Sequence, residues 1–368
     1  MIFAVTIFLT VVPAALLAWL IGRRLGRARL ANWARDRFDP AEYGLVPRDR
    51  LDARRAGPAI PLRQYQEMQA IADAAWEGDW RPAAAYLEAA GQDWDERWTR
   101  LELLQEIARS EDAWLVDWRA ARPKDSDAAT LHAQHLLHQA WEIRGTGDAN
   151  EVPAERMARF GELLTAAMAA AREASEPAPG DPGPWVVMIT AARGLRYSPE
   201  QFRALWEGLV ERAPHHYAGH WQALQYWCAE WSGSDRLMLE FAERAVRSAP
   251  AGSPLAGMYL HALYELTTRS PRSAVPSSRK AGNLLADVAR SLDQVPADDE
   301  RLPPLRHLLA HLLGRAGRYD AALEQFRLLG PWCGAEPWIR EKDPVAAFDL
   351  ARGIAAKKAG PARPGTSP

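Results

Sequence analysis

Ser198-Pro-Glu-Gln-Phe-Arg-Ala-Leu-Trp-Glu-Gly-Leu-Val-Glu-Arg-Ala-Pro214 carries the start and stop signals of one short helix. Ser198 offers a hydroxyl to the first unpaired backbone N–H groups, Pro199 suits the first helical position, and Gln201 stands three residues after the cap. Ser253-Pro254 and Asp343-Pro344 repeat the cap-plus-proline pattern. Between the Pro/Gly-rich breaks the chain shows almost no alternating apolar runs of the strand type. The predicted class is all-α, with roughly fourteen short helices at ordinary helix lengths.

A period of 36 residues then emerges, because Leu209-Val-Glu-Arg-Ala-Pro214 and Ala245-Val-Arg-Ser-Ala-Pro250 close two segments alike. Gly317-Arg-Tyr-Asp-Ala-Ala-Leu-Glu-Gln-Phe326 and Gly78-Asp-Trp-Arg-Pro-Ala-Ala-Ala-Tyr-Leu87 share a second pattern. Gly allows a turn, an aromatic packs on it, and a small Ala lets paired helices approach. These two segments resemble the second half of a tetratricopeptide unit. The stretch from Pro214 through Leu255 also resembles a bacterial, actinobacterial-type, membrane-anchored helical domain family of unknown function. The resemblance implies a right-handed α-solenoid of tetratricopeptide-like hairpins, and it brings no activity with it.

Working outward to the amino terminus, Ile2–Ile21 is a run of 20 residues without an ionisable side chain, long enough to span a bilayer as a helix. Arg23, Arg24, Arg27 and Arg29 follow at once, whereas no basic side chain precedes the run. The positive-inside rule therefore predicts a single-pass transmembrane anchor at 1–21 in the cytoplasmic membrane, with the body in the cytoplasm. A cleaved secretory signal would carry its charges on the other side. Residues 22–61 read as a basic juxtamembrane neck and linker, with eleven Arg against five acids from Gly22 to Arg63, leaving an acidic body. The expected divisions are N-terminal hairpins at 62–175, a C-terminal tetratricopeptide-like array at 182–356, and a disordered tail at 357–368. Two cysteines in 368 residues exclude a disulfide scaffold. A near-zero net charge of −2 gives no electrostatic case for nucleic acid.

Trp76/Trp80, Trp94/Trp98, Trp114/Trp118 and Trp227/Trp231 are spaced by four residues, which on a continuous helix puts each pair on one face. Helix-seam packing accounts for most such pairs. The segment Pro214–Trp231 holds more polar-tipped aromatics than one buried face accommodates. It is therefore expected to line a partner groove, with Trp227 and Trp231 as anchors, His220 at the rim and His216 on the same face. His132/His135/His138 and His307/His311 also have ligand-like spacing, yet no His-Glu-x-x-His motif or Cys cluster accompanies them, so no metal and no cofactor are expected. Phosphate-loop, dinucleotide and Gly-x-Ser-x-Gly motifs are absent, and Ser234 reads as a helix cap. The expected function is non-catalytic: a membrane-anchored scaffold that binds a protein or peptide. The alternatives are an exported envelope-assembly subunit of the same fold and a His-dependent metal hydrolase.

Overall fold

A computed structural model describes residues 29–145, 152–273 and 275–360. The chain is all-α: these residues contain no strand, and one isolated parallel bridge joins Asp52 to Trp332. The predicted span 1–21, with Arg23, Arg24 and Arg27, lies outside the described residues, and Arg29 opens them as an exposed helical residue. Among the described residues, no helix is long and apolar enough to cross a membrane.

The helices are α1 (29–36), α2 (Leu62–Trp76), α3 (Arg81–Glu88), α4 (Trp94–Ser110), α5 (Ala113–Ala121), α6 (Ser126–Arg144), α7 (Ala154–Ser175), α8 (Gly183–Gly194) and α9 (Pro199–Arg212). After them come α10 (Tyr217–Tyr226), α11 (Asp235–Ser248), α12 (Met258–Arg269), α13 (Arg279–Leu292), α14 (Leu302–Arg315), α15 (Tyr319–Leu329) and α16 (Pro344–Ala359). Their ends are chemically fixed. Ser198 and Gln201 form the reciprocal capping box, Ser234 accepts from the Leu237 amide, and Asp343 accepts from the Ala346 amide. Gly78 and Gly317 take φ of +90° and +74°, the left-handed turn geometry the repeat pattern requires.

The chain forms two compact units, one of residues 60–266 with 291–295, the other of 29–59, 267–290 and 296–360. In the first, sequential helices from α2 to α9 pack as neighbours, and α2, α4, α6, α8 and α10 also pack on one another in a row. Its last helix, α10, also touches α4. Asp95, on α4, accepts the Tyr217 amide at the start of α10 at 2.8 Å, and Trp98 meets the His216 ring edge-on. Fully buried Trp114 and Trp118 stack across α5, and Trp80 stacks on Trp118. The Pro/Gly-rich Glu176–Pro184 break is a turn inside this unit, between α7 and α8.

In the second unit, α14, α15 and α16 pack together, with Phe326, Trp338 and Phe348 ring to ring. Residues 39–61, expected as a linker, are in large part structural here. They are irregular, with two single 3-10 turns at Pro40–Tyr43 and Arg48–Arg50. Even so, Tyr43 and Leu45 are buried, Cys333 donates its amide to the Asp52 carbonyl at 3.0 Å, and Gly334 donates to the Arg55 carbonyl at 2.8 Å. Backbone pairing, rather than a periodic apolar face, holds this segment, so hydropathy patterning does not mark it. The expected tail also starts later than predicted: α16 runs through Lys357 and Lys358 to Ala359, and the Lys357 ammonium sits 4.5 Å from the Trp33 ring centre. Residues 361–368 lie outside the described residues.

Candidate functional site

His216, His220, Trp227 and Trp231 do not share one helix face. α10 begins after His216 and ends at Tyr226, so His216 is its cap, Trp227 closes it, and Trp231 lies in the turn beyond. Gly233 forces that turn, since a Cβ there would fall on the Trp227 backbone, and Ser234 returns its amide to the Trp227 carbonyl at 3.0 Å. Both histidines are buried. His216 Nδ1 accepts the Gly219 amide, and His220 donates from Nδ1 to the His216 carbonyl at 2.9 Å. Trp206 and Phe241 enclose the His220 ring, and burial pushes its pKa down to about 4. These two side chains are core, not groove: the excess of polar-tipped aromatics is absorbed by capping and ring packing. Trp227 stands edge-on to Phe202 and Tyr226, half-buried on the same core.

Trp231 is different. Its ring lies 5.5 Å from that of Trp141, at an interplanar angle of 82°, and both side chains are half-buried. Two guanidinium groups converge on this pair. Arg193 lies 4.6 Å from the Trp141 ring centre and 5.2 Å from that of Trp231. Arg144 lies 5.7 and 5.5 Å from the same two rings. Arg144 spends one Nη1 hydrogen bond on the Gly145 carbonyl, and neither arginine has a carboxylate partner among the described residues. Buried Arg193 Nε and Trp141 Nε1 have no acceptor among the described residues either. Burial, ahead of the nearby Arg144 charge, pulls Arg193 down to about 10, so it remains a cation at neutral pH.

Secondary structure positions the group. Arg144 and Arg193 each occupy the last turn of their helices, α6 and α8, where the helix dipole favours a cation. Trp141 is one turn before Arg144 and packs edge-on against Phe160 of α7. Sequence reasoning singled out Trp231 and missed Trp141, Arg144 and Arg193. A signal for Arg193 was present: it is the lone cation closing the apolar run Trp185–Ala192.

His307, His261 and His135 are held by neighbouring polar groups. His307 donates from Nε2 to the Ala56 carbonyl at 2.9 Å and accepts from Trp338 Nε1 at 3.0 Å. His261 meets the Tyr217 hydroxyl, and His135 sits between Gln105 and Gln139. Among the described residues no three His, Cys, Asp or Glu side chains gather as a metal site. The second unit also has a cleft of about 730 Å³ beside α16, walled by Ala34, Trp338, Ala347, Leu350 and Ile354, with Arg48 and Lys342 also lining it.

No family model, curated protein or solved structure matches this sequence.

Proposed function

We propose that the chain is a membrane-tethered interaction protein whose helical body faces the cytoplasm and holds a segment of a partner protein without catalysing a reaction. The observation that carries this reading is the Trp141–Trp231 pair: two half-buried indoles at right angles, backed by two guanidinium groups without a carboxylate partner among the described residues. Trp and Arg supply large contact area and fixed donors, the combination that concentrates binding energy at protein interfaces. The tether rests on the uncharged run Ile2–Ile21 and the arginines 23, 24, 27 and 29 that follow it. The Gly78 and Gly317 turns and the row of alternate helices support a tetratricopeptide-like hairpin architecture, a setting suited to holding peptide segments.

Affinity purification of the full chain from detergent-solubilised membranes tests the reading. A protein that co-purifies with the native chain and is lost with Trp231→Ala, at unchanged helicity, supports it. Equal recovery with both forms rejects this surface. A C-terminal alkaline phosphatase fusion that is active outside the cytoplasm rejects the topology.

A further inference from the structure

We infer that the Arg144–Arg193–Trp141–Trp231 cluster is an oxyanion-binding clamp, built to take one anionic side chain of a partner segment. The inference rests on the reading of this surface as the partner contact and adds the chemistry of the group it recognises.

The charge balance of the neighbourhood carries it. Three other enclosed arginines have a carboxylate beside them: Arg97 with Asp127, Arg352 with Asp349, Arg301 with Asp299. Arg193 is more enclosed than an ordinary surface arginine, yet what surrounds it is two indole rings and a second arginine. The faces of the rings attract a guanidinium through their quadrupoles, and the helix dipoles of α6 and α8 offset part of the repulsion between the cations. Neither effect supplies a hydrogen-bond acceptor. Arg193 Nε and Trp141 Nε1 are buried donors without one among the described residues, on a guanidinium and a ring that lie 4.6 Å apart, and an unmade hydrogen bond there is costly. An oxyanion answers all of these demands together, since it neutralises like charges and accepts from planar guanidinium edges in pairs. A carboxylate and a phosphoryl group share this chemistry, and the half-exposed Trp231 face beside it suits an apolar neighbour on the same segment.

The test uses the full chain in detergent, with thermal unfolding followed as sodium chloride is replaced by sodium acetate or by inorganic phosphate at constant ionic strength. Acetate or phosphate is expected to raise the midpoint over chloride in a saturable way. Arg193→Gln and Arg144→Gln should each weaken that response at least tenfold, whereas Arg203→Gln, at an exposed position on α9, should leave it intact. Arg144→Gln keeps the test decisive if Arg193→Gln fails to fold. The tighter of the two ions assigns the source, a carboxylate or a phosphoryl group. Identical curves in all three salts, or an undiminished response in both Gln variants, overturn the clamp. Partner recovery that survives Arg193→Gln would remove the clamp and keep the proposed function. An ion response without any partner dependent on Trp231 would do the reverse.

Discussion

Arg352 donates its Nη1–H to the Val46 carbonyl at 2.6 Å, joining residues 306 positions apart. Arg352 is almost fully buried on α16, held also by Asp349, which Arg48 grips from the other side at 2.8 Å. One guanidinium thus ties the segment after α1 into the C-terminal unit. Its burial is tolerated because both a carboxylate and a carbonyl receive it.

Arg352→Met is therefore expected to lower the stability of that unit by about 3 kcal/mol, since it leaves the Val46 carbonyl unpaired and Asp349 with Arg48 alone. Chemical denaturation measures it. The same logic separates two truncations. Removing residues 1–28 should leave a folded body, whereas removing 1–59 should unfold α14–α16, which lose Ala34, Phe38, Tyr43 and Leu45 from their core. Identical melting of the two products would show that the segment contributes nothing.

Two glycines should respond differently to substitution. Gly317 has a φ of +74° and nothing within 4 Å of an added Cβ, so Gly317→Ala should cost about 1 kcal/mol, through backbone strain alone. At Gly233 an added Cβ meets the Trp227 backbone, so Gly233→Ala should cost about 2 kcal/mol or more and displace Trp231. Thermal melts rank the two. An equal or reversed ranking would contradict the turn that places Trp231.

Acid should destabilise the protein through its histidines. Burial pushes His132, His220, His261, His307 and His311 from the usual 6.5 down to about 4. As pH falls below 6.5 the unfolded chain takes up these protons first, so stability is full above that value and is lost toward pH 4. Each group contributes at most about 2 kcal/mol at about pH 5. Asp127, which burial raises to about 6 beside Arg97, and Asp181, which burial also raises, act with the opposite sign, but they are two carboxyls against these five imidazoles and His135, which burial lowers as well. Urea midpoints should fall from about pH 7.5 to about pH 5.5. A midpoint that rises on acidification would mean that these rings are not enclosed.

Local chemistry was legible in the sequence wherever it is local. Ser198, Ser234 and Asp343 cap the helices they were expected to cap, and Gly78 makes the turn that separates Trp76 from Trp80. The early end of α10 was not legible, because the reason for it is the close approach of Gly233 to the Trp227 backbone six residues earlier rather than a composition change. The anchoring of residues 39–57 was invisible for a related reason. His307 and Arg352 recognise carbonyl oxygens, which every residue type carries. Trp231 could be singled out, but Trp141 and Arg193 reach it from α6 and α8. Only the packing of α6, α7 and α8 brings those residues together.

The most direct test of the central claim is site-specific photo-crosslinking in intact membranes, with the full chain carrying a photoreactive residue in place of Glu142, exposed one position after Trp141. A control chain carries it in place of Val116, which is also exposed but on α5. The account predicts one discrete protein adduct from position 142, absent from position 116 and lost when Arg193→Gln is combined with Trp231→Ala in a chain that still melts cooperatively. An adduct that persists in that double variant, or equal adducts from both positions, would contradict a partner site at Trp141, Trp231, Arg144 and Arg193.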